Sequence, residues 1–337
     1  MNEGQLAMIH PPSSTPARMK PPGVLGIDGG GTKTVCVVMD ASGAVWGRGE
    51  AGPSNYQTIG IEAATGAIAE AIARATASVP GLAIAGIGVG LAGVGRPQDV
   101  ATARALVETL PQREGLSVNW QLHPQGILVT HDCAIALVGG TGHTEGVVTI
   151  AGTGSIAYGC NRAGTTQRAG GWGYLLGDEG SGYDIALQGL RAAVRSHDGR
   201  SPVTMLTRGF MDRLQLNAPE DLIEAIYRRG WGVKQIASLA PVVDEAATAG
   251  DAVANQIMDH AAAELGLITQ TVAQGLFAIA DRFEVVTMGG VWRSVDNMRD
   301  RFVRAIVSRF PRAQVIWPRH HPAEGAALLV RRQIGIC

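Results

Sequence analysis

Cysteine is sparse in this chain, and what there is lies far apart. Cys36, Cys133, Cys160 and Cys337 are scattered through 337 residues with no CxxC pair and no cysteine–histidine ligand spacing. No disulfide framework, zinc site or iron–sulfur cluster is therefore implied. Cys36 and Cys160 fall on apolar runs, where a free thiol is usually a small hydrophobe. The chain also lacks an excess of either charge. Lysine and arginine total 28 against 29 aspartates and glutamates, interspersed to a net charge of −1, so the basic stripe that a nucleic-acid partner requires is missing. Long apolar runs are missing too. The most apolar window, Gly81 to Gly95, is fifteen residues and holds six glycines, too short for a membrane span and better read as a buried strand with its turn. No membrane partner is expected. Residues 1–22 carry Pro11, Pro12, Ser13, Ser14, Pro16, Pro21 and Pro22 without the apolar stretch of a signal peptide. They are expected to form a flexible tail, and the protein is expected in the cytoplasm.

What is present is one device used twice. Ile27-Asp28-Gly29-Gly30-Gly31-Thr32-Lys33-Thr34 stands between two apolar runs, and so does Ile150-Ala151-Gly152-Thr153-Gly154-Ser155. Aligned without gaps, Gly31-Thr32-Lys33-Thr34 lies over Gly152-Thr153-Gly154-Ser155. Nine residues after each leading glycine comes a second turn, Asp40-Ala41-Ser42-Gly43 or Asn161-Arg162-Ala163-Gly164. Each half reads strand, glycine turn, strand, polar turn, strand. Glycines let the backbone approach an oxyanion closely, while hydroxyls and bare N–H groups line the concavity with donors. Two such turns facing each other would clamp a polyphosphate. Neither turn is a Walker loop, since no glycine-lysine-serine or glycine-lysine-threonine triplet follows four spacer residues, nor a dinucleotide fingerprint opening a helix.

Val24–Asp28, Thr34–Asp40 and Ala44–Ala51 read as an antiparallel meander. A helix over Ile61–Ser78, a strand over Ile84–Leu91, a helix over Pro97–Leu110 and a strand over Gly126–Thr130 follow, an alternation that implies parallel pairing. The second half repeats the order, with strands at Gly146–Ala151, Ser155–Cys160 and Thr165–Gly170. Helices are expected from Gly180 to Ser196, across Pro202–Thr248 and over Asp251–Ala280. A strand at Glu284–Met288, a helix near Val295–Phe310, a strand at Gln314–Ile316 and a terminal helix from Ala323 complete the chain. The fold class is α/β and internally duplicated.

Asp28 closes the first strand directly before the glycines. A carboxylate there would face bound phosphates only with a divalent cation between, and magnesium held through water is the natural mediator; a turn-forming aspartate is the plainer alternative. The turns Asp28-Gly29-Gly30-Gly31-Thr32-Lys33 and Gly152-Thr153-Gly154-Ser155, with Gly289-Gly290-Val291 late in the chain, resemble the actin-type ATPase domain of the sugar kinase, Hsp70 and actin superfamily. Within it the chain is similar to the N-acetylglucosamine kinase branch, grouped with the BadF/BadG/BcrA/BcrD ATPases. The similarity runs from about Gly23 to the C-terminus and is most specific from Gly170-Gly171-Trp172-Gly173 through Gly177-Asp178-Glu179-Gly180-Ser181.

The resemblance implies two actin-like (ribonuclease H-like) domains, each a mixed sheet that begins with an antiparallel meander and is flanked by helices, with the active site in the cleft between them. The expected limits are 23–142 plus the terminal helix 323–337 for the first domain and 143–322 for the second. ATP would be held by Gly29, Gly30, Gly31, Thr32 and Lys33, by Thr153, Gly154 and Ser155, and by Gly289 and Gly290 against the adenine-ribose. Asp132, between a strand and a helix, matches the family's general base, with a helix N-cap as its alternative. Asn55, Gly171, Trp172 and Asp178 match the sugar contacts. For Asn55 the alternative is a turn asparagine, for Trp172 a core side chain, and for Lys33 a solvent-facing one. The implied activity is ATP-dependent phosphorylation of the 6-hydroxyl of N-acetylglucosamine or the related glucosamine, with Mg2+, by a homodimer. The alternatives are an ATPase activator of the dehydratase type, which would need cluster-ligating cysteines, and a non-catalytic nucleotide-binding module. A zinc-dependent ROK sugar kinase is excluded by the absence of its cysteine-rich motif.

Overall fold

The computed structural model describes residues 21–228, 230–294 and 298–336. Most of the expected tail (1–22), the expected start of the helix at Val295 and Cys337 lie outside the described residues. The first sheet is built from β1 (Gly23–Gly29), β2 (Thr34–Met39), β3 (Val45–Ala51), β4 (Ala83–Leu91), β5 (Asn119–Trp120) and β6 (Ile127–His131), in the order β3-β2-β1-β4-β5 with β6 also pairing β4. The expected meander is there: β1 and β2, and β2 and β3, run antiparallel, whereas β4 lies parallel to β1, and β6 parallel to β4. Helices α1 (Tyr56–Ile59), α2 (Ile61–Thr76), α3 (Pro97–Thr109) and α4 (Asp132–Thr141) accompany this sheet.

The second sheet repeats the plan with β7 (Gly146–Ala151), β8 (Ser155–Cys160), β9 (Thr166–Gly170), β10 (Glu284–Met288) and β11 (Gln314–Ile316), ordered β11-β10-β7-β8-β9. Its first three strands are again an antiparallel meander, and β10 lies parallel to β7. The duplication extends to side-chain hydrogen bonds. Asp40 Oδ1 accepts from the N–H groups of Ser42 (2.8 Å) and Ala44 (2.9 Å), and Asn161 Oδ1 accepts from Ala163 and Thr165, both at 3.0 Å. Short polar side chains that bond the backbone two residues on stabilise such turns, and Gly43 and Gly164 supply the positive φ that closes each one.

Helices α5 (Gly182–His197), α6 (Leu206–Leu214), α7 (Val233–Ala237), α8 (Ala240–Thr248), α9 (Ala252–Leu276), α10 (Val291–Ser294), α11 (Met298–Arg309) and α12 (Pro322–Gln333) complete the fold. The helical stretch expected across Pro202–Thr248 is present as short pieces, α6, α7 and α8, with 3-10 and π turns between them. Gln215 takes a left-handed φ of 55° that ends α6, Pro219 opens a 3-10 turn, a π turn spans Glu224–Arg228, and Gly230 at φ 68° breaks the chain before α7. The segment is apolar enough for a helix, but its breakers decide the outcome. Asp251 stands before α9 as its cap rather than within it. Its carboxylate accepts from Ala254 N at 2.8 Å and from the Thr204 hydroxyl at 2.8 Å.

Each sheet is covered on both faces. Ile68, Ile72, Leu106 and Val107 of α2 and α3 pack against Leu25, Ile27 and Val89 on one side of the first sheet, while Ala323, Ala327 and Val330 of α12 meet Val24, Val35 and Val37 on the other. The second sheet carries its large core on the side of α5, α8, α9 and α11. On its opposite face Cys133, Ala136 and Leu137 of α4 pack on Val148, Tyr158 and Val286. Alternate glycines on β4 make this close layering possible: a Cβ at Gly88 would run into the Ala326 carbonyl, and one at Gly90 into Ile135. At the crossing of α4 and α12, a Cβ on Gly325 would collide with the Ile135 carbonyl and the Gly139 N–H. Backbone cannot yield as a flexible side chain can, so Gly325→Ala is expected to destabilise the fold by about 1–3 kcal/mol, the usual cost of overpacking. Urea denaturation checks this, and a loss below about 0.5 kcal/mol would show that the crossing tolerates the methyl group.

Candidate active site

The parallel strands aim their carboxyl ends at one place. Asp28 at the end of β1 and Thr130 near the end of β6 both lie level with Gly90 of β4, and in the second sheet Ile150 of β7 pairs with Met288 of β10. Ligands in α/β sheets bind outside such strand ends. A cavity of about 440 Å³ opens there, lined among others by Asp28, Asp132, Ile150, Met288, Gly289, Gly290, Arg293, Trp317 and His321. Four residues singled out in the sequence, Asp28, Asp132, Gly289 and Gly290, therefore meet across the cleft.

Asp132 is the first residue of α4. The cap before it is His131, whose Nδ1 accepts from Ala134 N at 3.2 Å, so Asp132 is not itself the N-cap. Its Oδ1 accepts from Cys133 N at 2.9 Å. Burial, reinforced by the Asp132 charge, pushes the Asp28 carboxyl up to about 6 against the opposing pull of Lys33 and Arg48. Two carboxylates in one cavity, the first of them raised in part by the charge of the second, are the donor set for a hard divalent cation, which would cancel the repulsion. His131, Asp132 and Cys133 also bring one ligand atom each within 4.8 Å. Here the imidazole already caps the helix, and burial holds the thiol well above its ordinary pKa, so the trio reads as a helix start.

The two glycine turns have diverged. In the first, Gly31, Thr32 and Lys33 are exposed, and a Cβ at Gly31 would meet nothing within 4 Å. Ser54 N donates to the Gly30 carbonyl at 3.0 Å, tying this turn to the loop that holds Asn55. The Lys33 ammonium pairs with Glu50 at 3.3 Å, over half exposed. The second turn is buttressed from below: the buried Asp178 carboxylate accepts from the N–H groups of Ser155 and Gly173, and the Ser155 hydroxyl donates to the Glu179 carbonyl at 2.8 Å. That hydroxyl is a structural donor here rather than an open lining group. Asp178 adopts φ 63°, uncommon without glycine, and burial raises its pKa. Gly289, at φ 109°, lies where a Cβ would strike the Ala151 carbonyl, which seats Gly289 and Gly290 against the second turn.

Asn55 caps α1, with Oδ1 accepting from Gln57 N at 3.1 Å. Gly171 N donates to the Ser155 carbonyl at 2.9 Å, and Trp172, 66% exposed, projects from the loop that follows β9 rather than joining the core. Sequence reasoning passed over His321, Trp317 and Arg293. His321 caps α12, and burial, assisted by Arg48 and Lys33, pushes its imidazole down to about 4, so it stands neutral beside the two carboxylates. The signal available was His321-Pro322 at a helix start, where proline is suited to the first turn.

Two actin-like lobes, each opening with a strand, a glycine turn and an antiparallel strand, and a cavity that holds two carboxylates define an ATPase of the actin-like class. The model of the BadF/BadG/BcrA/BcrD ATPase family matches residues 25–330, and the chain belongs to that family. It is 35% identical over 313 residues to an N-acetylmuramic acid/N-acetylglucosamine kinase of Clostridium acetobutylicum, covering 92% of this chain and 98% of that one. It is also 35% identical over 319 residues to an N-acetyl-D-glucosamine kinase of Dictyostelium discoideum, covering 90% and 96%. Among solved structures, a candidate N-acetylglucosamine kinase from Chromobacterium violaceum superimposes with a TM-score of 0.70 at 24% identity, over 92% of this chain and 99% of that one; this supports the fold.

The Asp28 carboxyl binds its proton more tightly in the folded chain (about 6) than at its ordinary 3.8. The stability it contributes is full below pH 3.8 and is lost as pH rises through about 6. Asp28→Asn removes the buried charge, so the variant is expected to be more stable than the parent at pH 8 by about 1–3 kcal/mol, an advantage roughly halved at pH 5. Denaturant titrations at the two pH values test this. An advantage equal at both would mean that Asp28 titrates normally.

Proposed function

We propose that the protein is an ATP-dependent amino-sugar kinase that phosphorylates the 6-hydroxyl of N-acetylglucosamine or a closely related sugar. The observation that carries the reading is that Asp132 lines one cavity together with Asp28, Gly289 and Gly290; the names of the two relatives support the substrate class. In this reading Gly29, Gly30, Gly31, Thr32 and Lys33 hold the phosphates from the first lobe, and Thr153 and Gly154 hold them from the second, on a turn that Ser155 braces from beneath. Gly289 and Gly290 take the adenine-ribose. Asn55, Gly171 and Trp172 position the sugar, and Asp178 accepts its hydroxyls with the lone pairs that Ser155 and Gly173 leave.

Asp132 accepts the proton of the attacking hydroxyl as the terminal phosphoryl group moves in line toward it. In phosphoryl transfer most of the rate comes from positioning and electrostatics, so a base that is merely well placed suffices. A magnesium ion held through water by Asp28 would neutralise the phosphate charge. A cytoplasmic homodimer joined through the helical second lobe completes the proposal.

The test is ADP release from ATP and magnesium with N-acetylglucosamine, glucosamine and glucose offered separately, with the phosphorylated position identified in the product. Sugar-dependent release with an amino sugar preferred is the expected outcome; release indifferent to every sugar would move the chain to a bare ATPase. Asp132→Asn is expected to lower kcat by about 10²–10⁴-fold with a far smaller change in sugar KM, the range for a lost acid–base group. Unchanged turnover would remove Asp132 from the chemistry.

A further inference from the structure

Arg168 lies on β9, outside the residues assigned above. In the register of β8 and β9 it is the direct partner of Tyr158, and directly opposed residues present their side chains on the same face of a sheet. The Tyr158 ring meets His131 edge-on with centroids 4.5 Å apart, and His131 immediately precedes Asp132. From the other direction, Arg168 Cζ stands 5.3 Å from the centroid of the Trp172 ring. The exposed guanidinium thus lies beside the indole proposed to face the sugar, on the sheet face where Tyr158 meets the residue before the proposed base. Its charge is felt there: burial first, and Arg168 as well, hold the His131 imidazole below its ordinary pKa against the pull of Asp132.

Most arginines of this chain that approach a carboxylate do so openly, as Arg74 does with Glu70, Arg200 with Asp198 and Arg319 with Glu284. Among the described residues Arg168 has no such partner within 4 Å and donates no hydrogen bond to the protein. Contact with an indole face explains where the guanidinium rests, but it engages none of the five N–H donors, which lie in the plane of the group. That fork matches a carboxylate in a bidentate pair. A cation at this position repels an ammonium substituent, is nearly indifferent to an acetamide and attracts a carboxylate.

We propose that Arg168 is a specificity-determining residue that selects acetamido sugars bearing a carboxylate, and disfavours sugars bearing a free ammonium, through the unpaired guanidinium beside Trp172. The proposal rests on the kinase reading above and deepens it by naming the substrate class.

The experiment measures kcat/KM for N-acetylglucosamine, N-acetylmuramic acid, the uncharged methyl ester of N-acetylmuramic acid, and glucosamine. It uses the full chain and its Arg168→Leu and Arg168→Lys variants. The parent is expected to favour the acid over its ester by about 10–100-fold, the value of a charge-assisted bidentate contact. Arg168→Leu is expected to abolish that preference and to raise glucosamine relative to N-acetylglucosamine, while Arg168→Lys, which keeps the charge but not the fork, restores part of it. Because each result is a ratio of two sugars on the same variant, a general disturbance of Trp172 cancels. A parent that phosphorylates N-acetylglucosamine but treats acid and ester alike would overturn the proposal and leave the kinase reading standing, and so would a preference unmoved in Arg168→Leu. Failure to phosphorylate any sugar would take both down together, an outcome recognised by the silent N-acetylglucosamine control.

Discussion

The architecture depends on α4 fitting as a wedge between two sheets with almost no space to spare. One side of the helix packs on Val148, Tyr158 and Val286 of the second sheet, while Ile135 fills the gap over Gly90 of the first. Its last turns are glycines because nothing larger fits: a Cβ at Gly139 would meet the His321 carbonyl, and one at Gly140 the Val286 side chain. The segment that leads into α12 is bonded to the same turns, Arg319 N to Gly140 O at 3.0 Å and His320 N to Gly139 O at 2.8 Å. The Arg319 guanidinium then clamps Glu284 of β10 at 2.6 Å through both nitrogens. Dense packing of this kind does not deform smoothly, so any relative motion of the lobes must be accommodated around α4 rather than within it. Asp132 and His321 are the first residue of the wedge and the cap of the helix locked against it. The two side chains that line the cavity with Asp28 are thus positioned by this helix crossing.

The electrostatics of the cleft follow from that placement. Asp28 lies on β1 and Asp132 directly follows β6, the two strands that flank β4, so the sheet itself sets their spacing. Lys33 and Arg48 are near enough to oppose the rise of Asp28 and to help keep His321 neutral, yet both reach for Glu50 on the surface. Two carboxylates thus line the cavity while two cations act on it from the exposed surface nearby.

How much of this was legible in the sequence depends on how local the cause is. The meanders, their order and the twin polar turns were readable because Asp40 and Asn161 act within four residues of themselves, and the hydrogen bonds repeat in the two halves. The helical character of the stretch after Pro202 was legible, but not the places where Gln215, Pro219 and Gly230 divide it. The glycines of β4 were seen as a feature of a buried strand, but the reason for them, the α12 backbone lying against Gly88, belongs to a segment more than two hundred residues away. Trp317 was invisible for the same reason, and His321-Pro322 marked only a helix start, not the return of the chain across the cleft. Lys33, left open between phosphate and solvent, lies in an exposed pair with Glu50.

The duplicated turns also show why an internal repeat need not stay symmetric. The first turn has an open glycine and exposed polar residues, and it is tied down mainly by its bond to the Ser54 loop. Fixing flexible glycine backbone costs entropy on each occasion a ligand orders it. The second turn has that cost settled at folding, because Asp178 and the carbonyl of Glu179 occupy its N–H and hydroxyl donors from beneath. A buried carboxylate already bonded to the backbone of the turn transmits any change in its own contacts directly to that turn, so whatever touches Asp178 also alters the geometry offered on the other side. The loop carrying Gly171, Trp172 and Asp178 and the turn Gly152–Ser155 therefore form one mechanical unit. The first lobe presents its own turn as a separate and softer one, and the two halves of a single ancestral device answer to different neighbours.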